Sequence, residues 1–154
     1  MKAYKIDGKS QQGSMSVFPK DFIGMFVVSE EANILKGYVE ESIGGKISQS
    51  FLLGFFEETK LAFYKMSNEI QTLPLMYLFQ NYQEIGKWGA LELFVGTPYV
   101  LGKAKVSISE IGNEVMAERQ VREVYSKMQG GCGNFNISAE RYLYNLKIWL
   151  SQLG

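Results

Sequence analysis

A chain of 154 residues with 16 basic and 16 acidic side chains lacks the basic surface on which nucleic-acid binding depends. It contains no histidine and a single cysteine, Cys132, which excludes Ser-His and Cys-His catalytic pairs, imidazole or thiolate metal sites and an internal disulfide. Catalysis by carboxylates stays open, but we expect a protein that is not an enzyme and that uses no metal or cofactor.

The length of the chain predicts one domain over residues 1–154. Residues 1–14 contain no apolar core of a secretory signal, and no stretch approaches the ~20 apolar residues of a membrane span. We therefore expect a cytoplasmic protein without a membrane partner. A net charge of zero also favours self-association, so a homo-oligomer or another protein partner is expected.

The first 110 residues contain short apolar runs separated by turn residues, which is the pattern of consecutive strands. Tyr4 and Ile6 precede Asp7-Gly8, a dipeptide suited to a tight hairpin turn, and Gly44-Gly45 predicts another two-residue turn. Further strands are predicted at 22–29, 34–42, 46–58, 60–67, 73–81, 87–96 and 100–108. Because the connections are short, the strands should form an antiparallel up-and-down meander.

Glycines inside the predicted strands favour a barrel over a sandwich. They lie beside aromatic residues, and a glycine within a strand indicates a sharp bend or a bulge of the kind that closes a small barrel. These glycines are Gly24, Gly37, Gly54, Gly86 and Gly89. The predicted fold class is mainly β with C-terminal helices: residues 1–110 form an antiparallel β-barrel of about eight strands, and residues 113–154 form a helical extension packed outside it.

Two helices are predicted after residue 112. Asn113 can cap a helix that runs from Glu114 to about residue 128, and Gly130-Gly131 can end it. The last helix begins with Ser138 as its cap, and its apolar side chains recur at helical spacing. They are Tyr142, Leu143, Leu146, Trp149, Leu150 and Leu153. Tyr144 and Ile148 form a second, smaller stripe, which we interpret as a candidate interface.

The stretch KLAFYKMSNEIQTLPLMYLFQNYQEIGKWGALELF resembles the calycin-like small barrels, the group that includes lipocalins and fatty-acid-binding proteins. The similarity consists of alternating apolar residues on successive strands, with Gly86-Lys87-Trp88 opening the next strand, and it extends over about residues 20–108. The lipocalin Gly-x-Trp lies near the chain start, whereas this one comes late. The resemblance implies a barrel that binds small apolar molecules in its interior.

Aromatic residues on the predicted strands either line a cavity or fill it, since a barrel of about eight strands is only just wide enough for one small ligand. The candidate ligand-binding residues are Phe26, Tyr38, Phe63, Tyr77, Phe79 and Trp88, with Lys65 and Glu92 as polar anchors. Lys65 and Glu92 each share a strand face with apolar residues and could form an interior pair. The carboxylates of Glu40-Glu41 are interpreted as solvated charges at a strand end.

Two functions are compatible with these patterns. The first is a non-enzymatic barrel that binds a small, largely apolar or aromatic ligand in its interior. The second is an interaction, inhibitor or sequestering protein that docks on a partner through the outer barrel face and the C-terminal helices. The sequence does not name the ligand or the partner.

Overall fold

The computed structural model describes residues 1–12, 20–43, 45–57, 60–67, 75–84, 87–94, 101–129 and 135–153. Within these residues the chain forms eight strands followed by two helices. The strands are β1 (Lys2–Gln12), β2 (Lys20–Val28), β3 (Ile34–Ile43), β4 (Lys46–Glu57), β5 (Lys60–Ser67), β6 (Leu75–Glu84), β7 (Lys87–Phe94) and β8 (Leu101–Ile111). The helices are α1 (Glu114–Gln129) and α2 (Phe135–Leu153).

The strands form one curled antiparallel sheet in which each strand pairs with the next along the chain. In addition β1 pairs with β8, in a register that runs from Ala3 opposite Ile111 to Gln12 opposite Gly102. At the β3–β4 connection Ile43 lies opposite Lys46 and Gly45 has a φ of 82°. The predicted fold class, mainly β with two C-terminal helices, is confirmed, and so is the predicted antiparallel pairing of consecutive strands.

The turn predicted at Asp7-Gly8 is wrong, because β1 continues through both residues. Asp7 lies opposite Ile23, and Gly8 lies opposite Phe22. The same residues also pair with β8, so the backbone of this segment has hydrogen-bonding partners on both sides. Pairing with two strands satisfies more backbone groups than a two-residue turn does, which explains why the local turn preference is overridden.

Gly24 and Gly54 are examples of strand glycines at which neighbouring backbones approach too closely for a side chain. A Cβ atom at Gly24 would lie 1.8 Å from the carbonyl oxygen of Tyr38, and one at Gly54 would lie 2.0 Å from the carbonyl oxygen of Ala62. Both distances are well inside van der Waals contact. Glycine is therefore required at these positions by the close approach of β2 to β3 and of β4 to β5.

The sheet buries apolar side chains on both faces. The inner cluster lies on the concave face and contains Ile6, Phe22, Phe26, Val28, Leu35, Val39, Leu52, Leu61, Phe63, Tyr77, Phe79 and Val106. The outer cluster joins the other face to the helices and contains Phe51, Leu53, Phe55, Ala62, Tyr64, Met66, Met76, Leu78, Val124 and Leu146. Alternate residues of a strand face opposite sides, so a continuous run of buried residues in β4 serves both clusters.

Helix α1 covers the outer face of β1 to β4. Its predicted cap is confirmed, since the Oδ1 atom of Asn113 accepts a hydrogen bond of 3.1 Å from the backbone N–H of Met116. The Tyr125 hydroxyl donates a hydrogen bond to the carbonyl oxygen of Leu52, and burial raises the pKa of this hydroxyl far above its usual value. The bond therefore ties α1 to the middle of β4 with the tyrosine in its neutral form.

Helix α2 covers β4 and β5. Leu146 is fully buried, and the ring of Tyr142 lies 4.8 Å from that of Tyr64 between centroids. The helix begins at Phe135, so Ser138 lies within its first turn instead of capping it. Serine is only slightly unfavourable inside a helix, so a capping residue alone does not fix a boundary. Neither described helix has the length and apolar character needed to cross a membrane.

Candidate functional site

Four of the predicted ligand-binding residues lie together in the inner cluster. Phe26, Phe63, Tyr77 and Phe79 are each at most 2% exposed. The rings of Phe63 and Tyr77 are stacked with centroids 5.0 Å apart, and Phe79 lies 5.5 Å from Phe63. These side chains pack on one another, so this part of the interior is filled by protein.

Tyr38 lies on the opposite face of the sheet from these four. It packs against the outer cluster, and its hydroxyl donates a hydrogen bond of 3.4 Å to Gln120 of α1. The inward positions of β3 are taken by Leu35 and Val39, and strict alternation then turns Tyr38 outward. The structure therefore does not bring Tyr38 to the predicted interior site.

Lys65 lies on the inner face, but its partner is Glu41. The Lys65 Nζ atom is 2.5 Å from the Glu41 Oε1 atom, and the two side chains are 9% and 7% exposed. The Lys65 ammonium also lies 5.4 Å from the centroid of the Tyr77 ring. The backbone of Glu92 pairs with that of Tyr77, while the side chains of Glu92 and Trp88 lie outside the described residues.

The interpretation of Glu41 as a solvated charge is wrong. Glu41 is 5% exposed because β3 extends to Ile43, which keeps this residue inside the sheet. It continues the inward alternation of Leu35 and Val39. The alternation of inward residues, when it is counted from the middle of β3, therefore predicts from the sequence that Glu41 faces the interior.

Ser50 completes a buried polar cluster with this pair, and we call Glu41, Ser50 and Lys65 the polar cluster. Ser50 is 4% exposed and lies on β4, between the strands of the other two. On β4, Glu41 is opposite Ser48 and Lys65 is opposite Leu52. Ser50 is thus a diagonal neighbour of both, and diagonal neighbours share one face of a sheet.

A cavity of about 260 Å³ opens at the other end of the sheet, where β1 begins and β2 and β4 finish. We call it the end cavity. It is lined by Lys2, Tyr4, Val28, Ser29, Glu30, Asn33, Phe56 and Glu57. None of these residues was among the predicted site residues. Their position depends on which strand ends meet, which is set by the registers of β1, β2, β3 and β4.

Aromatic rings form the wall of the end cavity. The centroid of the Tyr4 ring lies 4.9 Å from that of Phe56 and 5.3 Å from that of Phe26. Burial raises the pKa of the Tyr4 hydroxyl, although the nearby Lys2 charge opposes this. The phenol is therefore neutral at physiological pH and can both donate and accept a hydrogen bond.

The turn between β2 and β3 holds the polar side of the end cavity in place. The carbonyl oxygen of Asn33 accepts a 3.0 Å hydrogen bond from the backbone N–H of Phe56, and the Asn33 N–H donates to the carbonyl oxygen of Ser29. Asn33 has a φ of 54°, a left-handed conformation that asparagine tolerates better than most residues. These bonds fix Asn33 beside the aromatic wall.

Two predicted interface residues are exposed on α2. Tyr144 is 66% exposed and Ile148 is 41% exposed, and their spacing of four positions places them on one side of the helix.

Comparison with known proteins gives no relative of this chain. No protein-family model matches it, no curated protein matches it, and no solved structure matches it. Among the described residues, histidine, cysteine and acidic side chains do not gather in groups of three or more that could hold a metal ion.

Proposed function

We propose that this chain is a non-enzymatic binding protein that takes a small, largely apolar or aromatic molecule into the end cavity of a closed, eight-stranded barrel. The pairing of β1 with β8 supports closure of the barrel. The observation that carries the proposal is the end cavity itself, with an aromatic wall and a few fixed polar groups. This is the usual composition of a small-molecule site, and it agrees with the resemblance to calycin-like barrels.

The size of the end cavity limits the ligand. Pockets for drug-sized molecules have volumes of roughly 300–1,000 Å³, and the end cavity has about 260 Å³. A molecule of one or two rings fits this volume. The packing of Phe63, Tyr77 and Phe79 on one another supports a ligand at the end of the barrel and not at its centre.

Binding is favoured over catalysis by the groups around the end cavity. Lys2, Ser29, Asn33 and Glu57 can orient a ligand by hydrogen bonds or charge. Without histidine in the chain, none of them can be activated by an imidazole base. Tyr4 and Phe56 offer flat apolar surfaces against which a ring can stack.

Indole is a suitable probe because it is neutral and has two fused rings. In a titration followed by amide NMR, we expect saturable shifts at Tyr4, Val28 and Phe56, with a dissociation constant on the order of 1 mM or below. Lys2→Trp should weaken indole binding at least about ten-fold, because Lys2 lines the cavity and a large ring there occupies the volume that the ligand needs.

Lys5→Trp is the matched control. Lys5 is exposed and lies on the other face of the same strand, so this variant should bind indole as the wild type does. Shifts that do not saturate, or an equal loss of binding in both variants, would contradict the proposal.

Self-association through α2 is a second candidate function, favoured by the exposed pair Tyr144 and Ile148. Native mass spectrometry and sedimentation at about 100 µM, a concentration at which weak dimers form, should then show a dimer. The double variant Tyr144→Ser, Ile148→Ser should be monomeric, while Arg119→Ser, at an exposed position of α1, should leave the dimer intact. A wild-type protein that is only monomeric argues against this candidate.

A further inference from the structure

The end cavity has an apolar floor and a charged rim. Val28 is 7% exposed, and the rings of Tyr4 and Phe56 are partly buried against the inner cluster. Lys2 and Glu57 line the same cavity, but both are exposed. The charged groups therefore lie where the cavity meets solvent, and the apolar groups lie deeper. A ligand that matches this arrangement has a ring at one end and charged groups at the other.

The positive and the negative charge of the rim come from two strands that are not neighbours in the sheet. Lys2 stands two positions before Tyr4 on β1, so both face the same side of the sheet. Glu57 follows Phe56 directly at the end of β4. Because the Tyr4 and Phe56 rings contact each other, with centroids 4.9 Å apart, a ligand ring stacked on them would have a cation on the β1 side and an anion on the β4 side.

The other carboxylate of the rim already has a partner. The Met1 ammonium lies 2.5 Å from the Glu30 Oε1 atom, and this hydrogen-bonded pair, together with the Lys2 charge, lowers the pKa of Glu30. Lys60 lies opposite Glu57 on β5, but within the described part of the chain neither Lys2 nor Glu57 forms an ion pair. Lys2 and Glu57 are thus the rim charges that face a ligand.

We infer that the end cavity selects an aromatic zwitterion, a molecule that carries a ring together with an ammonium and a carboxylate group, as a free aromatic amino acid does. The ring of the ligand stacks on Tyr4 and Phe56, while its carboxylate lies at Lys2 and its ammonium lies at Glu57. A molecule with only one of the two charges gains only one of these attractions. This inference rests on the binding function proposed above and names the chemical class of the ligand.

Four compounds with the same ring system test the charge preference. Indole, tryptamine, indole-3-propionate and L-tryptophan are neutral, cationic, anionic and zwitterionic at pH 7. In titrations of the full chain at low ionic strength, followed by the amide resonances of Tyr4, Val28 and Phe56, tryptophan should bind about two- to five-fold more tightly than tryptamine or indole-3-propionate. This is the usual contribution of one exposed ion pair. About 1 M sodium chloride should remove most of the preference, because salt screens exposed charges.

Charge-removing variants assign each half of the preference to one side chain. Lys2→Gln should bring the ratio of tryptophan to tryptamine affinity close to one, and Glu57→Gln should do the same for tryptophan and indole-3-propionate. Each ratio is measured within one variant, so a general loss of binding cancels. Lys5→Gln on the other face of β1 and Glu123→Gln on α1 remove exposed charges that do not line the cavity, and they should keep both preferences.

The outcomes separate this inference from the binding function on which it rests. Saturable binding of indole without tighter binding of tryptophan would overturn the inference alone. The same conclusion follows if Lys2→Gln and Glu57→Gln keep both preferences, or if the preference does not respond to salt. The absence of saturable binding for all four compounds would overturn the inference and the proposed binding function together.

Discussion

Replacing Lys65 by methionine is expected to lower the free energy of unfolding by about 3–5 kcal/mol, because the carboxylate of Glu41 then stays in the interior without its counter-charge. Glu41 is 7% exposed in the pair, so water reaches it too little to replace the lost ammonium. Methionine is close to lysine in size and apolar, which keeps the cavity contribution small. Urea denaturation measured by circular dichroism gives the difference directly.

An exposed ion pair provides the matched control for this prediction. Lys9 and Asp21 lie opposite each other on β1 and β2. The Lys9 Nζ atom is 3.8 Å from the Asp21 Oδ1 atom, and the two side chains are 71% and 70% exposed. Lys9→Met should change stability by less than about 1 kcal/mol, since water solvates both charges.

Removing both interior charges tests the reason for the loss. The variant Glu41→Leu, Lys65→Met should recover most of the stability, because no uncompensated charge is left behind. If Lys65→Met is as mild as Lys9→Met, the pair is not buried as described. If the double variant is less stable than Lys65→Met, the desolvated carboxylate is not the cause.

Gly24→Ala is expected to lower the free energy of unfolding by about 3 kcal/mol or more, because the added methyl group would overlap with neighbouring atoms. Its Cβ atom would lie 1.8 Å from the carbonyl oxygen of Tyr38 and 2.7 Å from the Cα atom of Val39. Both obstacles are backbone atoms of β3, so relief requires that β2 and β3 move apart and lose hydrogen bonds. Urea midpoints and the amide spectrum of the variant report the loss.

Gly112→Ala serves as the control for Gly24→Ala. Gly112 is exposed, and a Cβ atom there would meet no atom within 4 Å. We expect a change within about 0.5 kcal/mol. A Gly24→Ala variant that matches the Gly112→Ala variant in stability would show that β2 and β3 are not held at this separation.

Most of the fold could be predicted from local patterns. Alternating apolar residues, short connections and the Asn113 cap indicate antiparallel strands and α1, because each depends on neighbouring residues only. The errors arose where distant pairing decides the outcome. Asp7-Gly8 has turn chemistry, but β2 and β8 hold it in a strand, and neither partner is visible from the dipeptide.

The site was less predictable than the fold for the same physical reason. The inward positions of Phe26 on β2 and of Phe63 and Lys65 on β5 can be predicted from the sequence, because each depends only on the alternation within its own strand. Glu41 was missed because it stands near a strand end, where the extent of pairing with β4 decides burial. The end cavity could not be foreseen, because Tyr4 and Phe56 meet only through the combined registers of β1, β2, β3 and β4.

The bonding of β1 to β8 has a consequence for biosynthesis. Ala3 pairs with Ile111, so one side of β1 has no neighbouring strand until β8 has been synthesised. An unpaired strand edge can form backbone hydrogen bonds with other nascent chains. Contacts between residues this far apart in the sequence also form slowly, on the order of milliseconds to seconds. Newly made chains are therefore most prone to aggregate before the eighth strand arrives.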